Sequence, residues 1–306
     1  VLDVVIVGGG PAGLSAGIYC GRAMLETLIV EEKSAGGQLM ITDKIENYPG
    51  FPEGIGGFEL TEKLKEHAKK FGAKIKEYNK VEKVVKEGKV FKVFAGEETI
   101  TAKAVIWAGG VVPKTLGVPG EKEFLGRGVS YCAVCDGAFF KGMEVAVVGG
   151  GDSALQESLF LTNFASKVYI IHRRDSFRAI KILQEKVKEH PKIEVLFNRV
   201  VEEIKGDKFV ESLVLRNKET NQTETLKVSG VFVFIGNSPN VEGVKDLVEL
   251  SESGFIKTNE NLETKTPGLF AAGDVREKPL RQVVTAVSDG AISAMSAYHY
   301  IESCWG

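Results

Sequence analysis

Residues 4–16 read V-V-I-V-G-G-G-P-A-G-L-S-A, and 141 residues further on residues 145–157 read V-A-V-V-G-G-G-D-S-A-L-Q-E. Each copy is an apolar run of strand length, a glycine turn and a helical stretch. A second apolar run follows each, at 28–30 and at 168–171. One chain therefore carries two mononucleotide-binding units of the strand–turn–helix–strand kind.

The spacing within each turn carries the chemistry. Gly8, Gly10 and Gly13 satisfy G-x-G-x-x-G between a strand and a helix. The first glycine permits the tight turn, the second admits a diphosphate against the backbone, and the third lets helix and strand pack closely. The helix N-terminus adds free N–H groups and the positive end of its dipole. Glu31 ends the following strand, 18 residues past Gly13, where a carboxylate accepts from ribose hydroxyls and disfavours a 2'-phosphate. In the second turn Gly149, Gly151 and Ala154 give the G-x-G-x-x-A variant. Its following strand ends not in a carboxylate but in His172-Arg173-Arg174, with Arg178 close behind. Guanidinium groups pair bidentately with phosphate, so this unit is expected to take NADPH rather than NADH.

Between the two units lie a glycine-rich passage (36–57), an amphipathic stretch (59–71) and short strands around Val84, Phe91 and Ile100, which together read as a β-meander inserted in an α/β domain. A buried strand over 104–108 ends in Gly109 and Gly110, and residues 113–120, with two prolines and two glycines, read as a linker. A second boundary falls near 237–243, where the strand 231–235 meets Gly236, Ser238 and Pro239. The last helical pattern, 282–301, is expected to pack back on the first domain. The expected fold is α/β, with two Rossmann-like three-layer nucleotide-binding domains, each a parallel sheet plus a β-meander. The first is split between 1–112 and 244–306, and the second spans 113–243.

With 306 residues, 43% of them hydrophobic, the chain has material for two cores, and a formal charge of -2 argues against nucleic acid or anionic membrane as partners. No charged stretch followed by an apolar one opens the sequence, and runs such as 145–148 fall far short of the ~20 residues that span a bilayer. A soluble, cytoplasmic protein is expected. Four cysteines are too few for a secreted disulfide scaffold. Two of them form Cys132-Ala133-Val134-Cys135, followed by Asp136, between the linker and the second glycine turn. Such a pair closes a small disulfide ring or forms half of a zinc site. Zinc would need a second pair, whereas Cys20 and Cys304 are isolated and His67, His172, His190 and His299 are scattered, so no metal is expected. Cys20 reads as a small buried hydrophobe.

Taken together, G-G-G-P-A-G at 8–13, G-G-Q at 36–38, E-N-Y-P-G at 46–50, C-A-V-C-D at 132–136, H-R-R-D with Arg178, and F-A-A-G-D at 270–274 resemble the low-molecular-weight thioredoxin reductases over nearly the whole chain. The resemblance implies a homodimeric flavoprotein with an FAD domain built from the two ends of the chain and an NADPH domain between them. FAD would be held by Gly8, Gly10, Pro11, Ala12, Gly13, Glu31, Gly37, Gln38, Asn47, Gly109, Asp274, Arg281, Gln282 and Val283. NADPH would be held by Gly149, Gly151, Asp152, Ser153, His172, Arg173, Arg174 and Arg178. It further implies that hydride passes from nicotinamide to flavin and that electrons then reach the Cys132–Cys135 disulfide. Cys135 would face the flavin, Cys132 would attack the disulfide of a thioredoxin or glutaredoxin-like protein, and Asp136 would protonate the leaving thiolate. The family alternates its two half-reactions by rotating the NADPH domain about two linkers. The sequence departs from the family at Gln156, where glutamate is frequent, and at Lys114, where arginine is common. Ferredoxin-type or small-carrier reductases share the scaffold but lack the cysteine pair, and a flavin-bearing redox sensor would lack steady NADPH consumption.

Overall fold

The computed structural model describes residues 1–42 and 44–305 and divides the chain into two compact units. One is Val1–Val112 with Ser238–Gly306, and the other is Pro113–Asn237. Asp43, in the glycine-rich passage, and Gly306, at the end of the expected 244–306 segment, lie outside the described residues.

In the first unit the β-branched strand Leu2–Val7 lies parallel between Thr27–Val30 and Glu98–Trp107. Lys74–Lys76 extends the sheet beyond Thr27–Val30, and Leu269–Ala271 pairs in parallel with the end of Glu98–Trp107. That long strand serves two ladders: residues Glu98 to Ala102 pair antiparallel with Val90–Ala95, and Ala102 to Trp107 pair parallel with Leu2–Val7. Side chains alternate across a strand, so one strand feeds two cores. Val4 and Ile6 pack with Leu14, Leu60, Leu64 and Ala297 of the helices Pro11–Arg22, Gly57–Lys70 and Val283–Trp305. Val5 and Val7 pack on the other face with Val84, Phe91 and Val93 of the meander strands. Helices, sheet and meander form the expected three layers. The final helix lies so close on the first that a Cβ at Gly290 would stand 2.1 Å from the Ala12 carbonyl oxygen.

The second unit repeats the plan. Five parallel strands run in the order Val129–Ser130, Gly230–Phe234, Glu144–Gly149, Lys167–His172, Ile193–Phe197. Val145 and Val147 pack under the helices Asp152–Leu161 and Lys181–Glu189 with Leu155, Leu161 and Val187. Ala146 and Val148 face Val201, Leu213 and Leu215 of the antiparallel sheet Arg199–Gly206, Val210–Asn217, Thr223–Lys227.

The second crossing between units comes earlier than the sequence reading placed it, at 237/238 instead of 243/244. Residues 238–243 are held by the first unit: Trp107 Nε1 donates to Asn240 O at 2.8 Å, Asn240 N to Gly110 O at 3.0 Å, and Val84 N to Gly243 O at 2.8 Å. Among the described residues no helix is long and apolar enough to cross a membrane.

Candidate active site

Strand register brings the first site together. Val7 is paired with Val30 and with Trp107, and Trp107 with Ala271, so four parallel strands end in line. The residues just past those ends, Gly8, Glu31, Gly109 and Asp274, therefore share the carboxyl edge of the sheet, where open α/β sheets bind ligands. Gly8 turns with φ +105, and a Cβ on Gly13 would lie 1.8 Å from Gly8 O, so the helix Pro11–Arg22 can begin there only with glycine at both places. That helix starts at Pro11 and Ala12 with no side-chain cap, leaving its first N–H groups open. A Cβ on Gly10 would meet nothing nearer than Gly37 Cα at 3.9 Å, so the two glycines face each other across a cradle beside those groups. Glu31 closes the cradle's side: its Oε2 accepts from Gly9 N–H at 2.7 Å and its Oε1 from Lys33 N–H at 3.0 Å. A carboxylate offers about four lone-pair sites, which leaves Glu31 capacity for ribose hydroxyls.

Asp274 contributes the second feature. Its Oδ1 is buried without a hydrogen-bond partner among the described residues, with Lys278 Nζ 3.9 Å away. Burial raises its pKa above the ordinary carboxylate value, against the opposing pull of Lys278 and Arg281. The turn that presents it is fastened to the final helix, because Asp289 Oδ2 accepts from Gly273 N–H at 3.0 Å and from Lys278 Nζ at 2.9 Å. Asp289, a carboxylate on the buried side of a helix, belongs to no sequence motif. An open diphosphate cradle and a buried acceptor awaiting a hydroxyl donor fit an FAD at this edge.

The residues expected at the flavin ring are held in separate contacts. Asn47 Nδ2 donates to Gln282 Oε1 at 3.0 Å, and Gln38 Nε2 donates to Val111 O at 3.3 Å. Arg281 lies over the Phe255 ring at 3.8 Å and donates to Asp274 O and Arg276 O, both at 3.2 Å. It thus braces the start of the final helix against the Asp274 turn. Val283 packs into the first core.

In the second unit Val148 is paired with Ile171, and Gly149 with Phe234, which again places the glycine turn at the carboxyl edge. A Cβ on Gly151 would meet nothing within 4 Å, and the helix Asp152–Leu161 carries no side-chain cap. The segment bearing Arg178 is clipped to this turn. Arg178 N–H donates to Gly150 O at 2.8 Å, and Asp152 Oδ1 accepts from Ile180 N–H at 2.8 Å. Arg173, Arg174 and Arg178 are exposed, and their guanidinium groups have no hydrogen bond or ion pair among the described residues. Ser153 and Gln156 are exposed on the helix, and Lys114 is tied by its backbone N–H to Gly236 O. His172 stands apart from the arginines. It is 5% exposed, its Nε2 lies 3.1 Å from Ser176 O, and a Cβ on Gly150 would strike its ring at 2.3 Å. It supports the turn from beneath.

The cysteine pair sits in the same unit as a disulfide, Cys132–Cys135, with Cα atoms 5.4 Å apart. Cys132 is extended and caps the short helix Ala133–Asp136, and its Sγ accepts from Cys135 N–H at 3.0 Å. That donor stabilises negative charge on Cys132 Sγ once the bond is cleaved. Cys135 is exposed and Cys132 half-buried; Asp136 is half-buried and donates its backbone N–H to Cys132 O at 3.2 Å. Cys20 is 1% exposed, and burial pushes its thiol up to about 12, which leaves it inert. Among the described residues no group of three or more His, Cys, Asp or Glu could hold a metal ion.

Two dinucleotide cradles, one of them sharing its unit with a cleavable disulfide, define an oxidoreductase that connects a pyridine nucleotide to a dithiol. Comparison with known proteins agrees: the chain belongs to the pyridine nucleotide-disulphide oxidoreductase family, whose model matches residues 2–290. Within that family it falls among the low-molecular-weight thioredoxin reductases. It is 51% identical to the thioredoxin reductase of Bacillus subtilis (strain 168) over 304 residues, which is 99% of this chain and 95% of that protein. Among solved structures it is similar to the thioredoxin reductase of Lactococcus lactis (TM-score 0.96, 42% identity, 99% of this chain and 100% of that one). It is also similar to that of T. acidophilum (TM-score 0.93, 35% identity, 97% and 98%).

Proposed function

We propose that the chain is an NADPH-dependent thioredoxin-disulfide reductase working through FAD and the Cys132–Cys135 disulfide. The observation that carries this reading is that disulfide, set in the unit whose second glycine turn is flanked by three unpaired arginines. Bound at the two cradles, FAD and NADPH supply hydride transfer and the two electrons that cleave the disulfide.

What the chain's own residues do follows from their chemistry. The cradle of Gly8, Gly10, Gly13 and Gly37 holds the FAD diphosphate, Glu31 the adenosine ribose, and Asp274 a hydroxyl of the ribityl chain. Gln38, Gly109, Asn47 and the Arg281–Gln282–Val283 start of the final helix border the ring. Gly149, Gly151, Asp152 and Ser153 form the NADPH diphosphate turn, and Arg173, Arg174 and Arg178 pair with its 2'-phosphate. After two-electron reduction, the Cys132 thiolate, stabilised by Cys135 N–H, attacks one sulfur of the thioredoxin disulfide and releases a thiolate. Asp136 supplies a proton to that leaving group. The Cys135 thiolate then attacks Cys132 Sγ, which restores the Cys132–Cys135 disulfide and frees reduced thioredoxin. The protein works as a cytoplasmic homodimer; Val284, Ile292 and Met295 expose an apolar face of the final helix that suits association.

The test is NADPH oxidation by the purified yellow protein with thioredoxin as acceptor, comparing wild type with Cys135→Ser. Turnover that needs both thioredoxin and Cys135, with flavin bleaching by NADPH preserved in the variant, supports the relay. Turnover that survives the substitution removes the cysteines from the electron path.

A further inference from the structure

Glu121 is a buried carboxylate outside every site described above. It is 2% exposed, and it lies in the segment through which the chain enters the second unit. Its Oε1 accepts from Leu116 N–H at 2.7 Å and from the Tyr131 hydroxyl at 2.7 Å, and its Oε2 accepts from Gly117 N–H at 2.7 Å. Three bonds to a carboxylate are far more than packing requires, and their targets are informative. Two hold the entering segment, and the third holds the residue immediately before Cys132.

The next link is Ser130, 3% exposed, whose Oγ accepts from Cys132 N–H at 3.0 Å and lies 3.2 Å from Cys132 O. Residues 130 and 131 are thus both fixed by their side chains, one to the Cys132 peptide and the other to Glu121. The Tyr131 phenol is pushed well above its ordinary value by burial and by the Glu121 carboxylate, so it stays a donor. Downstream, Gly137 is buried against Leu161 and Phe164, which fixes the far side of the turn. On the near side Ser130 holds the Cys132 peptide and Glu121 holds Tyr131.

We propose that Glu121, acting through Tyr131, is a positioning residue for the redox pair, holding the backbone on which Cys132 meets Cys135. This rests on the reading of Cys132–Cys135 as the electron exit. The stability of a disulfide relative to a free dithiol reagent measures the effective concentration of its two thiols, and a turn held rigid in the reduced protein raises that concentration. Releasing the tyrosine anchor therefore makes the disulfide easier to reduce.

The experiment uses the flavin-loaded protein and Tyr131→Phe, which keeps the ring and both backbone bonds to Glu121. Each is equilibrated without oxygen in dithiothreitol buffers of graded reduced-to-oxidised ratio, and free thiols are trapped with a maleimide and counted by mass. The variant is expected to reach half-reduction at a ratio about three- to tenfold lower than wild type, with Glu121→Gln shifted further in the same direction. Coincident midpoints for Tyr131→Phe and wild type overturn the proposal, also where the melting temperature falls, because Glu121 is then a structural clamp only. A shifted midpoint in a protein whose wild type turns over no thioredoxin upholds the positioning role and removes the functional reading instead.

Discussion

Asn47 donates from Nδ2 to Gln282 Oε1 at 3.0 Å across 235 residues of sequence. The bond joins the E-N-Y-P-G loop to the residue that opens the final helix, and Gln282 N–H is held in turn by Thr285 Oγ1 at 3.1 Å. Both amides are thereby oriented at the edge where the flavin ring is proposed to sit. Replacing Asn47 by alanine removes one exposed neutral hydrogen bond, which contributes about 0.5–1.5 kcal/mol. The fold is expected to survive with a small loss of melting temperature, while FAD dissociation from the variant rises about three- to tenfold. Titrating FAD into the apoprotein by flavin fluorescence checks this; equal affinities for variant and wild type would remove Asn47 from the flavin site.

The arginine cluster makes a prediction about coenzyme choice. Arg173, Arg174 and Arg178 offer three unpaired guanidinium groups, and the Arg178 backbone is tied to the glycine turn through Gly150 O. A guanidinium that pairs with a 2'-phosphate makes a charge-assisted bond, so Arg178→Ala is expected to raise KM for NADPH about tenfold. NADH lacks the phosphate and should be almost unaffected. Steady-state KM values for the two coenzymes decide the matter, and a parallel rise for both would show that Arg178 shapes the turn without reading the phosphate.

How much of this was legible in sequence depends on the distance over which each feature is encoded. The glycine turns, Glu31 and the arginines announce themselves because strand, turn and ligand group lie within one short stretch, and parallel register then aligns them without further instruction, whereas Asp274 is expected only from the family resemblance. Asp289 under Gly273 and Glu121 under Tyr131 join residues 16 and 10 positions apart through side chains whose spacing matches no motif. The 238–243 segment reads as a linker from its glycine and proline content. It belongs to the first unit because Trp107 and Gly110 claim its backbone groups, a long-range contact that composition does not reveal. Adjacency in the sequence groups His172 with the arginines. The strand Lys167–His172 is covered on both faces at its end, so His172, its last residue, is enclosed, while Arg173 and Arg174 lie past that end in an exposed turn.

His172 makes the second unit sensitive to acid. Burial, the largest cause, holds its imidazole below the ordinary 6.5, aided by the charges of Arg178, Arg174 and Arg173 and opposed by the Ser176 carbonyl. The folded protein therefore keeps His172 neutral at a pH where the unfolded chain takes up a proton. Stability from this group is fully present above 6.5 and is lost as the pH falls from there to the lowered folded value. Thermal melts at graded pH should show that limb in wild type and a flatter one in His172→Phe, which keeps a ring under Gly150 but cannot titrate. Parallel curves for the two proteins would assign the acid loss to other groups.

Phe139 and Phe140 follow the redox pair on one short turn and have opposite fates. Phe140 packs edge-on against Phe232 with ring centroids 5.4 Å apart, while Phe139 is 75% exposed. An aromatic ring left in water four residues past Cys135 costs free energy in the isolated protein and suits it to anchor a protein partner. A small disulfide such as Ellman's reagent needs only the thiol, whereas a thioredoxin must dock. Phe139→Ala is therefore expected to raise KM for thioredoxin about tenfold or more and to leave the rate with Ellman's reagent unchanged. If both acceptors slow together, the ring is supporting the redox turn; if neither changes, the docking surface lies elsewhere on the second unit.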